Sequence, residues 1–142
     1  MTRRLLLPVM LVLPNAALAA PQAGAGDPVE VTLQRCLDAP AGQSTAGQTT
    51  CEDAALRAYD HRMNLAYAAL MHRLPAEAAS RLRTAQRAWL AFRAAEDRAR
   101  SALYETRQGT MYVPMQAAAA VEVVRSRTLQ LEATLRVMTI DD

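Results

Sequence analysis

Three stretches of this 142-residue chain repeat an apolar residue every three to four positions, and this spacing limits the possible folds more than any other feature. From Glu52 to Leu74 the steps are Leu56, Tyr59, Met63, Ala66 and Leu70. From Ala76 to about Thr106 they are Leu82, Ala85, Trp89, Phe92, Glu96, Ala99 and Leu103. From Met115 to Met138 they are Ala117, Val121, Val124, Thr128, Leu131, Leu135 and Met138. A 3-4 alternation lays one stripe along an α-helix, whereas a strand needs a period of two. Local preference agrees: aromatic residues are 4% of the chain, and Ala, Leu and Arg fill the periodic segments. Leu74-Pro75 and Gln108-Gly109-Thr110 interrupt the pattern, and Pro114 marks the start of the third helix. Connections this short turn neighbouring helices back on each other. The expected fold is all-α, an antiparallel three-helix bundle running up-down-up. A short helix precedes it, capped by Asp27-Pro28 and reaching about Leu37.

The first twenty residues read as an export signal. Met1 to Arg4 are basic, Leu5–Leu13 are apolar, and Ala17-Leu18-Ala19 supplies the small-x-small cleavage pattern. A membrane span needs about 20 apolar residues; this run is shorter and contains Pro8. The expectation is therefore a signal peptide over 1–20, no stable membrane anchor after cleavage, and an exported product. Residues 21–27 then read as a flexible Pro/Gly/Ala tail, and 28–140 as one helical domain. Of the sixteen basic residues, all arginine, Arg3 and Arg4 lie in the signal; fourteen remain against fourteen acids. A balanced mature chain gives no footprint for nucleic acid.

Export decides how Cys36 and Cys51 are read. In an oxidising compartment two thiols fifteen positions apart form one disulfide. Closing a loop of that size is worth about 3 kcal/mol. The enclosed Asp38–Thr50 stretch, rich in Gly, Ser, Thr and Gln, reads as a loop that the disulfide tethers. Cys36, Cys51, His61 and His72 are the alternative, a metal site, but C-x-x-C spacing is missing. On a helix the two histidines stand about 16 Å apart, too far to share an ion. Neither a metal nor a cofactor is expected. No G-x-S-x-G, P-loop, dinucleotide fingerprint or H-E-x-x-H occurs, so no catalytic residue is assigned and no enzyme is expected.

Polar residues flank the apolar stripes in a pattern of their own. If the chain reverses at Leu74-Pro75, Asn64 faces Gln86 and Asp60 faces Trp89, with Arg93 one turn, about 6 Å, further on. Asp60, Asn64 and Tyr67 line one side of the first stripe; Gln86 and Arg93 line the second beside Trp89. Two readings stand open. Asp60–Arg93 and Asn64–Gln86 set the register between two helices, or the same cluster faces a partner. Glu96 puts a carboxylate in an otherwise apolar stripe, placed to pair with Arg100 or Arg93. Arg81, Arg83 and Arg87 read as a solvated face.

Taken in order, these residues resemble a known family. Cys36…Cys51, then Tyr59-Asp60-x-x-Met63-Asn64-x-x-Tyr67, then Leu82-x-x-Ala85-Gln86-x-x-Trp89-Leu90-x-Phe92-Arg93, resemble the LprI-type lysozyme-inhibitor domain over about residues 36–135. Gly109-Thr110-Met111 stands where the family has a glycine-bearing loop, and Arg127-Thr128 with Leu131 where it has its closing helix. The chain departs from the pattern at Met63, at Ala94, and at Asp97 and Ala120, where the family commonly carries a second cysteine pair. The resemblance implies a periplasmic protein that binds and blocks a lysozyme or related muramidase. Tyr59, Asp60, Asn64, Tyr67, Gln86, Trp89 and Arg93 would be its motif residues, structural or binding. The alternative is a non-inhibitory structural or stress-associated module for another envelope protein. Blockade needs an exposed loop to enter a glycan cleft; the candidates are Glu105–Tyr112, with Arg107 and Tyr112, and the stapled Asp38–Thr50 segment.

Overall fold

A computed structural model describes residues 26–140; the expected signal peptide and the tail up to residue 25 lie outside the described residues. Among the described residues there are four α-helices and no strand. They are α1 (Pro28–Asp38), α2 (Thr45–Arg73), α3 (Ala76–Glu105) and α4 (Tyr112–Val137), with a 3-10 turn at Pro40–Gln43. No described helix is long and apolar enough to cross a membrane.

Helix α1 starts where its cap lies. Asp27 Oδ1 accepts from the backbone N–H groups of Val29 and Glu30, at 2.9 and 3.3 Å, and Pro28 occupies the first turn. The Cys36–Cys51 disulfide joins the last turn of α1 to the second turn of α2, with Cα atoms 5.7 Å apart. The residues between them depart from the expected loop. Asp38–Thr50 folds into the 3-10 turn and the opening turns of α2, because the Ser44 hydroxyl caps the Gly47 N–H at 3.0 Å. A Cβ at Gly47 would lie 1.8 Å from the Ala41 carbonyl oxygen, an approach that only glycine permits. The stretch is a compact staple, with Gly42 buried beneath it.

The core lies between α2 and α4. Ala55, Tyr59, Met63, Ala66 and Leu70 of α2 are buried with Val121, Val124 and Leu131 of α4, and α1 contributes Leu33. Alanine and valine at the contact let the two backbones approach closely. The buried Thr128 hydroxyl shows how closely: it lies 3.0 Å from the Tyr59 carbonyl across the seam and 2.8 Å from the Val124 carbonyl of its own helix.

Helix α3 does not pack as its apolar stripe suggested. Of its 30 residues only Ala79 and Gln86 are buried. Its inward arc is Leu82, Gln86, Trp89, Arg93, Glu96 and Arg100, while Ala85, Phe92, Ala99 and Leu103 are exposed. At 100° per residue that is a rotation of roughly 60° from the expected seam. The cause is side-chain length: arginine, glutamine and tryptophan span the gap that separates α3 from α2 and α4, and their polar heads find partners there.

Candidate functional site

Two polar networks tie the helices together, and the first centres on a carboxylate at the edge of the described chain. Asp27 caps α1 and also accepts from the Tyr59 hydroxyl at 3.0 Å and from Arg62 Nη1 at 2.8 Å. The other edge of the Arg62 guanidinium makes a two-pronged pair with Glu132 of α4, Nε to Oε1 at 2.9 Å and Nη2 to Oε2 at 2.8 Å. One guanidinium thus joins α1, α2 and α4, the planar geometry that lysine could not reproduce. Burial opposes the Asp27 charge, but hydrogen bonds from Arg62, Tyr59 and the two capping N–H groups outweigh it and hold the carboxyl below its ordinary range. Burial and the adjoining Asp27 push the Tyr59 phenol up to about 12. The Glu132 pair and Asp27 raise the Arg62 guanidinium against its own burial.

The second network surrounds Trp89. Arg93 Nη1 lies 2.7 Å from Asp60 Oδ1, joining α3 to α2 at the register expected from the Pro75 reversal. Its guanidinium carbon sits 5.8 Å from the Trp89 ring centre, and that of Arg127 from α4 sits at 6.0 Å. The expected Asn64–Gln86 pair is absent. Asn64 is exposed and donates to Asp60 Oδ2 at 3.2 Å. Gln86 turns to α4 instead, its Oε1 accepting from Arg127 Nε and Nη2 at 3.0 and 2.9 Å, with its amide nitrogen 3.8 Å from Met63 Sδ. Burial lowers the Arg127 guanidinium, which the single amide oxygen of Gln86 does not reverse. Tyr67 packs half-buried against the core. Glu96 does not take Arg100; that arginine pairs with Asp97.

The structure therefore gathers Tyr59, Asp60, Gln86, Trp89 and Arg93 around α2, with Asn64 at the rim. Sequence reasoning missed Arg62 and Glu132, which sit 70 positions apart and carry no local signature. The Tyr59–Arg62 spacing, one turn beside a core aromatic, is the sole sequence hint.

The two loop candidates differ in local structure, though both carry exposed residues. The stapled segment is occupied by its own turn and the start of α2. The α3–α4 connection is open, and Gly109 makes its turn with φ +117°, a backbone that favours glycine. Tyr112 is no free loop residue: it begins α4, half-buried, its ring 6.5 Å from that of Tyr104. Arg107 is exposed, as are Met111, Val113 and Met115, each about half accessible. A shallow cleft of about 250 Å³ lies at this end, lined by Tyr104, Arg107, Tyr112 and Gln116 among others.

Among the described residues no group of three or more His, Cys, Asp or Glu is arranged to hold a metal ion. Asp97 and Ala120, the positions matched to the family's second cysteine pair, line one cleft between α3 and α4.

The described residues thus form a disulfide-stapled helical domain in which Arg62, Arg93 and Arg127 join helices through carboxylate and amide partners, with exposed apolar residues at the α3–α4 end. The chain belongs to the LprI lysozyme-inhibitor family: the family model described as "Lysozyme inhibitor LprI" matches residues 36–131. Comparison with curated proteins gave no match. The chain is also similar to the crystal structure of an uncharacterized protein from Burkholderia thailandensis, at 36% identity and a TM-score of 0.76. That likeness covers 80% of this chain and 56% of the other, so this chain matches little more than half that protein's length.

Proposed function

We propose that this protein is an exported periplasmic inhibitor that blocks a lysozyme or related muramidase by occupying its glycan cleft. The observation that carries this reading, beside the family, is the open end of the α3–α4 hairpin. Met111, Val113 and Met115 are exposed at this end, and Val113 lines one cleft with Arg107 beside the Tyr104–Tyr112 contact. Exposed apolar side chains on the same turn as an arginine are the composition of an interface anchor. A muramidase cleft carries paired carboxylates, which a guanidinium complements through charge-assisted hydrogen bonds. The mechanism is occlusion, with no bond made or broken by this chain.

The scaffold beneath is, in this reading, the up-down-up bundle. In its support, the α2–α4 pairs Tyr59–Thr128 and Arg62–Glu132 advance together, whereas Asp60–Arg93 and Met63–Gln86 run oppositely. Export rests on the basic, apolar and small-x-small order of residues 1–20.

The test is clearing of a cell-wall suspension by several lysozyme types, with and without the purified protein. Inhibition is expected from the wild type, with at least a tenfold loss, about 1.4 kcal/mol, in Arg107→Glu combined with Met111→Asp and no change in helical content. Undiminished clearing at severalfold molar excess over every lysozyme type would overturn inhibition and favour the structural-module alternative. Inhibition that survives the double substitution would move the contact away from the hairpin end.

A further inference from the structure

We infer that Glu52 makes the attachment of α1 to α2 sensitive to pH: protonated, it lets the two helices close, and ionised, it loosens α1. Among the described residues Glu52 is the one buried carboxylate, 8% exposed, and it has no hydrogen bond and no ion pair. The other buried polar side chains, Gln86 and Thr128, both have partners. A carboxylate in such a place gives up water and gains nothing in return, so the site favours the neutral form.

The neighbours supply no counter-charge. The Cys36–Cys51 bond and the Tyr59–Asp27 hydrogen bond run α1 antiparallel to the start of α2 and place Leu33 opposite Glu52. Glu30, one turn before Leu33 on the same face of α1, is the charge that acts on Glu52, and its sign is the same. The 3-10 turn at Pro40–Gln43 carries no titratable side chain. On α4, the contacts Tyr59–Thr128 and Arg62–Glu132 advance together, which puts Val121 at the height of Glu52. Glu122 beside it is taken up by Arg125 at 3.2 Å. From α3, Asp97 and Arg100 approach Thr49, one turn back along α2, already paired with each other. Burial and Glu30 together push the Glu52 carboxyl above its ordinary value.

Helix α1 is the element free to respond. Of its 11 residues only Leu33 is buried. A cleft of about 330 Å³ separates it in part from α2, lined by Val29, Leu33, Cys36, Cys51 and Ala55 among others. The disulfide holds the last turn of α1 and the Asp27 hub holds the first. Between them, Leu33 alone opposes the repulsion, so charge on Glu52 is relieved by an outward shift of α1 that leaves the α2–α4 seam intact.

The two carboxylates of this junction act in opposite senses. The folded chain holds the Glu52 proton more tightly than the unfolded chain does. Its stabilising effect is therefore full below the unfolded value and is lost as pH rises through the higher folded value. Asp27 needs its charge, and its contribution is lost only as pH falls through its lowered folded value. The attachment of α1 is tightest in the mildly acid interval between these titrations and slackens toward neutral pH.

Amide hydrogen exchange from about pH 4.5 to about pH 7.5 spans the upper transition. In the wild type, α1 protection, corrected for intrinsic exchange, is expected to fall about threefold or more across that range, with the α2–α4 seam unchanged. Glu52→Gln is expected to hold α1 protection level. Glu30→Gln is expected to keep the transition but move it to lower pH. His61 and His72 are present in every variant, so the difference between wild type and Glu52→Gln belongs to Glu52. Three results would each overturn the inference: wild-type α1 protection that does not change with pH, a fall that persists in Glu52→Gln, or a Glu52 carboxyl that titrates by NMR at the ordinary glutamate value.

Discussion

The α2–α4 seam and the attachment of α3 hold helices of similar length by opposite means. Along the seam, alanine and valine let the helices approach until the Thr128 hydroxyl of one reaches the Tyr59 carbonyl of the other, and Tyr59, Leu70, Val124 and Thr128 are fully enclosed. Along α3, long side chains bridge a gap: Arg93 to Asp60, Gln86 to Arg127, and Trp89 between two guanidinium groups. Close packing excludes water and draws stability from apolar burial and dispersion. Bridging by charged and amide groups fixes register and spacing but adds little net energy, because each group exchanges water for its partner. Stability is thus concentrated in the α1–α2–α4 unit, and α3 carries an outward surface at small cost to the core.

The largest expected effect tests that division directly. Leu70→Ala removes a fully enclosed side chain from the seam and is expected to cost about 3 kcal/mol. Phe92→Ala, a larger truncation on α3 at a side chain about half exposed, should cost under about 0.5 kcal/mol. Urea unfolding of both variants checks the ratio; equal losses would erase the distinction.

Next is the hub that fastens α1. Asp27→Asn keeps an oxygen that can cap α1 but removes the charge that faces Arg62 and leaves the Arg62–Glu132 pair unpartnered on one side, with an expected loss of about 2 kcal/mol. The Asp27 carboxyl is held below its ordinary range, so its contribution is fully present above the unfolded value of about 3.9. It disappears as pH falls through the lower folded value. Stability curves of the wild type and Asp27→Asn should therefore converge in acid and stay apart at neutral pH. A constant gap across that range would assign the loss to packing instead.

The smallest effect belongs to the bridge itself. Arg93→Ala should lower stability by about 1 kcal/mol or less, since Asp60 is more than a third exposed and water screens the pair. Hydrogen exchange should rise in α3 and stay level in α2 and α4. A loss comparable to that of Leu70→Ala would place α3 within the core unit.

Much of this was legible in the residues. The helices over Glu52–Leu74, Ala76–Thr106 and Met115–Met138 agree with α2, α3 and α4 in kind and nearly in extent, because a 3-4 stripe has no other regular home. The missed start of α2 at Thr45 came from reading Gly, Ser and Thr as loop formers, when the Ser44 cap and the close approach at Gly47 make them helix starters. In the candidate site, Asp60–Arg93 was recoverable because one short connection fixes the register of two adjacent helices. Gln86–Arg127 and Arg62–Glu132 were not, because they join helices whose relative rotation no local spacing records.

The sequence alone determined the elements, the cap at Asp27, the pairing of two cysteines and the family, all set by periodicity, turn chemistry and residue order. Tertiary structure decided which helices meet closely and which side of α3 faces in. An amphipathic stripe specifies that a face prefers burial; which neighbour buries it depends on the summed shapes of all three helices. Alanine and valine close the α2–α4 gap, and the bulk of Trp89 and the arginines holds α3 further off with its apolar stripe turned to solvent.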